Sequence, residues 1–90
     1  MLNKFQDYLI SKGYSELTPK GKPSTAHDYS KSRIPKICER ENIKIDELAQ
    51  KISVYVDKYD KFGDESEFGN KSNRAFINAL KRFKEFVESK

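Results

Sequence analysis

Apolar residues in this chain recur every three or four positions, and nowhere do they alternate one by one. Phe76, Ile77, Leu80, Phe83 and Val87 make the clearest stripe, with Ala79 and Phe86 widening it. That spacing keeps side chains on one face of an α-helix, whereas a strand needs a period of two. The chain is thereby restricted to an all-α fold. Its 90 residues give room for one domain and one core. Only 36% of residues are hydrophobic and another 36% are charged, so that core is lean. The 6 Phe and 5 Tyr offset this, because each ring buries far more area than an alanine or valine.

The periodicity places four helices. Leu2, Phe5, Tyr8 and Leu9 predict the first at about residues 2–12, with Gly13 in the left-handed position that ends it. YSELTPKGKPS, with Pro19, Gly21 and Pro23, reads as a loop. Thr25 and Asp28 have capping-box spacing, and Ala26, Tyr29, Ile34, Ile37 and Cys38 carry a second helix over about 25–41. Pro35 lies inside it, removes a backbone hydrogen bond and predicts a kink near Ser32. Asp46 and Glu47 suit the positive end of a third helix at about 45–61, with Ile45, Leu48, Ile52, Val56 and Tyr59 inward. The acidic GDESEFGN reads as a loop, and the last helix covers about 72–88. Four helices joined by short connections predict an all-α bundle.

Catalytic and metal chemistry find little support. His27 and Cys38 stand roughly 16 Å apart along a helix, too far for a nucleophile–base dyad. Cys38 falls on the apolar face and reads as a small hydrophobe. One His and one Cys make no structural zinc site, DKYDKFGDESEF lacks EF-hand spacing, and no phosphate loop is present. By itself the chain is expected to be a non-enzyme without cofactor. No run approaches about 18 apolar residues, and the N-terminus lacks a continuous apolar signal segment. A single cysteine fits a reducing compartment, so a cytoplasmic protein without membrane contact is expected.

Binding remains, and the charges point to it. The net charge of +4 divides into 0 over residues 1–19, +4 over 20–44, −4 over 45–68 and +4 over 69–90. Each basic segment opens a helix. Lys22, Ser24 and Thr25 begin the second, with Lys31 further on; Lys71, Ser72, Asn73 and Arg74 begin the fourth. Free backbone N–H groups, hydroxyls and long cations at a helix start suit phosphate. Asn73 and Arg74 also suit base edges.

Taken in order, three stretches carry a family likeness. They are PSTAHDYSKSRI with Ser24, Thr25 and Tyr29, then ICERENIKIDELAQKI, then GNKSNRAFINALKRFKEFV closing on Ala79, Leu80, Phe83 and Phe86. From about Leu2 to Val87 the chain resembles the N-terminal core-binding domain of tyrosine recombinases, the phage-integrase family. The resemblance implies a four-helix, SAM-like bundle that forms one jaw of a clamp around double-stranded DNA, with the second and fourth helices against the duplex. It implies contacts from the eight residues just named at the two helix starts, with Lys81 and Arg82 as phosphate contacts further along. It also implies a C-terminal catalytic domain in the full-length protein, so none of these tyrosines is assigned as nucleophile. An isolated jaw is expected to be monomeric, with its acidic segment turned away from the duplex or toward a neighbouring domain or protomer. The alternative is a small protein–protein module using the acidic third helix and loop, where Phe62 and Phe68 look exposed.

Overall fold

The computed structural model describes residues 1–14 and 25–89; the side chains of Ser72 and Asn73 fall outside that description. Among the described residues every regular element is helical. Helix α1, Leu2–Ser11, buries Phe5, Gln6 and Leu9. It ends as its sequence predicts. Gly13 takes φ 99°, which lets Tyr14 N–H donate to the Leu9 carbonyl and Gly13 N–H to that of Ile10, both at 3.0 Å.

The second predicted helix is a single rod with a wide turn in it. It comprises α2, Thr25–Asp28, then a π-helical turn, Tyr29–Arg33, then α3, Ile34–Glu41. Pro35 explains the turn. Its missing N–H and bulky ring oppose the usual bonding, and Ile34 N–H donates instead to the Tyr29 carbonyl five residues back. The expected kink is therefore a local widening in which the backbone stays right-handed at Asp28, Arg33 and Ile34. Ser30, wholly buried there, donates its hydroxyl to the Ala26 carbonyl at 2.7 Å. Asn42, at φ 56°, closes α3 in the way that Gly13 closes α1.

Two boundaries differ from expectation. The third predicted helix divides at Lys51 (φ −113°, ψ 27°) into α4, Ile45–Gln50, and α5, Ile52–Tyr59. The predicted acidic loop contains a helical turn, α6, Ser66–Gly69, before α7, Lys71–Glu88.

α7 supplies the centre of the core. Phe83 is wholly buried, with the Phe5 ring edge-on at 5.1 Å and Phe86 at 6.0 Å. Toward the other end Phe76 stacks on Phe68 at 4.4 Å, and Phe68 meets Tyr59 at 5.9 Å. The rod runs antiparallel to this helix. Tyr29 neighbours Asn78, Arg33 covers the Phe76 ring at 4.8 Å, and Arg40 shares the Phe68 ring of α6 with Lys71, at 4.0 and 5.5 Å. As rod numbers rise, their partners' numbers fall.

Glu41 fastens the rod to α5, accepting from Lys58 Nζ at 2.8 Å and from the Tyr59 hydroxyl at 2.5 Å. Burial pushes the Glu41 carboxyl upward, but the two donors outweigh it and hold the group below its ordinary pKa. The Tyr59 hydroxyl is raised by burial and by that same carboxylate.

Candidate nucleic-acid interface

The predicted contact residues divide between the two ends of the rod and α7. Lys22 and Ser24 lie outside the described residues, and the side chains of Ser72 and Asn73 do too. Thr25 opens α2 and is half-buried. Lys31 stands exposed on the π turn, with its ammonium donating to Asn3 Oδ1 of α1. Lys71 is exposed and lies over the Phe68 ring at 5.5 Å.

Arg74 has φ 66°, left-handed in a non-glycine residue, which costs about 1 kcal/mol or more. Asn70 holds it there by accepting from the Arg74 backbone at 3.2 Å and from its Nε at 3.0 Å. The i→i−4 bond from Arg74 to Asn70 keeps the residue within α7, Lys71–Glu88, despite that φ. Three residues C-terminal to the helix start, this side chain is tied down.

The structure does not bring the two helix starts together. Because the rod and α7 are antiparallel, the start of α7 lies beside Arg40, near the rod's far end. Thr25 and Arg40 are separated by roughly 22 Å of helix axis. On α7 the residues near Tyr29 are Asn78 and the cation Arg82. Lys71, Arg74, Lys81 and Arg82 instead spread along about 16 Å of α7, with Arg74 and Lys81 beside Asp60 of the α5 end and Arg82 beside Tyr8 and Tyr14 of the α1 end.

The acidic segment does not turn away from these cations. Asp60 reaches both Arg74, at 4.0 Å, and Lys81, at 3.5 Å, while Glu65 pairs with Arg40 at 2.5 Å. The Asp60 carboxyl is lowered first by the Lys61 backbone N–H and then, against some desolvation, by Lys81 and Arg74. The opposed charges of residues 45–68 and 69–90 are thus partly neutralised against each other. These pairs are solvated: the Arg74 side chain is 52% exposed and that of Asp60 33%. Such a pair is worth about 0–1 kcal/mol, so phosphate can replace the carboxylate at small cost. Arg82 is similarly held by Glu85, at 3.3 Å.

Sequence reasoning missed the stacking arginines. Arg33 and Arg40 are seven residues apart, one face of a helix, and they sit on Phe76 and Phe68. That spacing was the available signal. Phe68, expected to be exposed, is half-buried beneath Arg40; Phe62 is 93% exposed. Burial raises the Cys38 thiol, which leaves it unactivated. Among the described residues no cluster of three metal-ligating side chains occurs, and no helix is long and apolar enough to cross a membrane. No protein-family model, curated protein or solved structure matches the chain.

Proposed function

We propose that this chain is a double-stranded-DNA-binding module, the N-terminal clamp domain of a site-specific tyrosine recombinase. The observation that carries the reading is the set of cations along α7, anchored by buried aromatics, in which Arg74, Lys81 and Arg82 are paired with weak, solvated carboxylates. Four long side chains over about 16 Å suit phosphates flanking a groove, with Lys71 and Arg74 at one end and Arg82 at the other. Counting the rod as one helix, α4 with α5 as another, and the four-residue α6 as part of the connection before α7 leaves four helices, the number that this reading of a SAM-like bundle calls for. On this reading strand cleavage belongs to a separate C-terminal domain, and the module acts in the cytoplasm.

Fluorescence anisotropy of a labelled duplex tests the reading. The affinity is expected to fall steeply as salt rises, because each neutralised phosphate releases counterion. Arg74→Ala and Lys71→Ala should each flatten the log–log salt slope by about 1, whereas Lys4→Ala leaves it unchanged. A protein that leaves the duplex unbound at low salt sinks the proposal. Asp60→Asn makes a separate prediction. Keeping the oxygen that accepts from Lys61 N–H but losing the charge, it should tighten duplex binding roughly five-fold at low salt. Unchanged affinity would remove Arg74 and Lys81 from the interface.

Exposed Val54, at 63%, and Phe62 favour a second reading as a protein-interaction module. Elution from heparin at low salt is the result expected of it.

A further inference from the structure

We infer that Phe62 is a base-stacking residue, its ring laid against an unstacked nucleobase while neighbouring cations take the flanking phosphates. The inference rests on the DNA-binding reading and adds a contact to it. Phe62 is 93% exposed, whereas Phe5, Phe76, Phe83 and Phe86 are each at most 5% exposed.

Its exposure is built into an ordered turn. Lys61 N–H donates to Asp60 Oδ1 at 2.8 Å, Gly63 N–H to the Asp60 carbonyl at 2.9 Å, and Glu65 N–H to the Lys58 carbonyl at 2.8 Å. Gly63 presses so closely on the end of α5 that a Cβ there would lie 2.1 Å from the Asp57 carbonyl oxygen. The backbone on both sides of Phe62 is therefore fixed, with the ring held outside the core.

What surrounds the ring identifies its partner. Phe62 shares a cleft with Lys61, Arg74 and Lys81, and with the carboxylates Asp57 and Asp60. The Lys61 ammonium lies 5.5 Å from the ring centroid. Three cations beside one planar apolar face match a polymer that repeats a planar apolar face beside an anion. Nucleic acid has that chemistry: bases stack on aromatic side chains, and cations track the backbone. A phosphate entering the cleft would take Arg74 and Lys81 from Asp60, whose hold on them is weak. The base can come from a single strand or from a duplex step opened by the inserted ring.

The protein contains no tryptophan, so Phe62→Trp introduces a unique reporter of stacking. The intact chain is titrated with oligo(dT) of about 15 nucleotides, and separately with a duplex of similar length containing a central TA step. The expected result is quenching of the variant's indole emission, with the same midpoint as anisotropy, by one or both probes. The probe that quenches identifies the source of the base. Phe62→Ala should bind that probe roughly ten-fold or more weakly, with its thermal unfolding unchanged. Salt-dependent binding by the wild type, with unquenched emission and an unaffected Phe62→Ala, overturns the stacking role and leaves the DNA reading standing. Failure of the wild type to bind either probe at low salt overturns both.

Discussion

Gly69→Ala is expected to destabilise the fold by about 3 kcal/mol, near the upper end of what overpacking costs. Gly69 is buried at the end of α6, and a Cβ built there lies 2.0 Å from the Tyr59 carbonyl oxygen and 2.9 Å from its carbon. Both obstacles are backbone, so no side-chain rotation relieves them. Either α6 moves off the end of α5 or the helix end deforms, and both routes disturb the stacked Tyr59, Phe68 and Phe76 rings. Urea denaturation should show a lower midpoint with a similar slope. Gly13→Ala provides the contrast. Gly13 has open space around it but φ 99°, so only backbone strain of about 1 kcal/mol is expected. A Gly69→Ala cost no greater than that of Gly13→Ala would mean that α6 does not pack on α5 as described.

The second large effect is at Phe83. Its ring is wholly buried and meets Phe5 from α1 and Phe86 from its own helix. Truncation to alanine leaves a cavity where these faces meet, at an expected cost of about 3–5 kcal/mol. A small domain has only about 5–15 kcal/mol in total, so the variant should sit close to its unfolding threshold. Circular dichroism is expected to show a fall in melting temperature of about 20 °C, at roughly 4–8 °C for each kcal/mol. A fall of only a few degrees would contradict a core organised around Phe83.

These two sites differ in how visible they were beforehand. Phe83 belongs to a stripe that runs along α7, and its burial followed from spacing alone. The role of Gly69 depends on where α6 meets α5, a contact between residues ten apart that no local pattern encodes. The break at Lys51 was hidden for another reason. Leu48, Ile52, Val56 and Tyr59 are all buried and keep helical spacing across the break, so the pattern reads as one helix. α6 has only four residues, too few to establish a period. Pro35 announced a disturbance but did not specify a π turn, because that choice depends on keeping Ala26, Ser30, Ile34 and Ile37 inward together.

The candidate interface was legible as a list of residue types and not as a shape. Charge at a helix start marks Lys71 and Arg74, the family resemblance adds Lys81 and Arg82, and all four lie along one helix. What charge could not reveal was direction: whether the second and last helices run together or oppositely. The Arg33–Phe76 stack and the meeting of Arg40 with Lys71 over Phe68 fix that direction, and ion pairs place Asp60 and Glu65 among the cations.

The antiparallel rod has a consequence for the size of any ligand that meets both of its ends. Thr25 and Lys71 mark opposite ends of a span of roughly 22 Å, which at about 3.4 Å per base pair is about six or seven base pairs. A duplex shorter than that can occupy one end or the other, but not both. On the proposed DNA-binding reading, the minimal footprint is therefore set by the length of one helix, and each turn added to or removed from the rod would change it by between one and two base pairs.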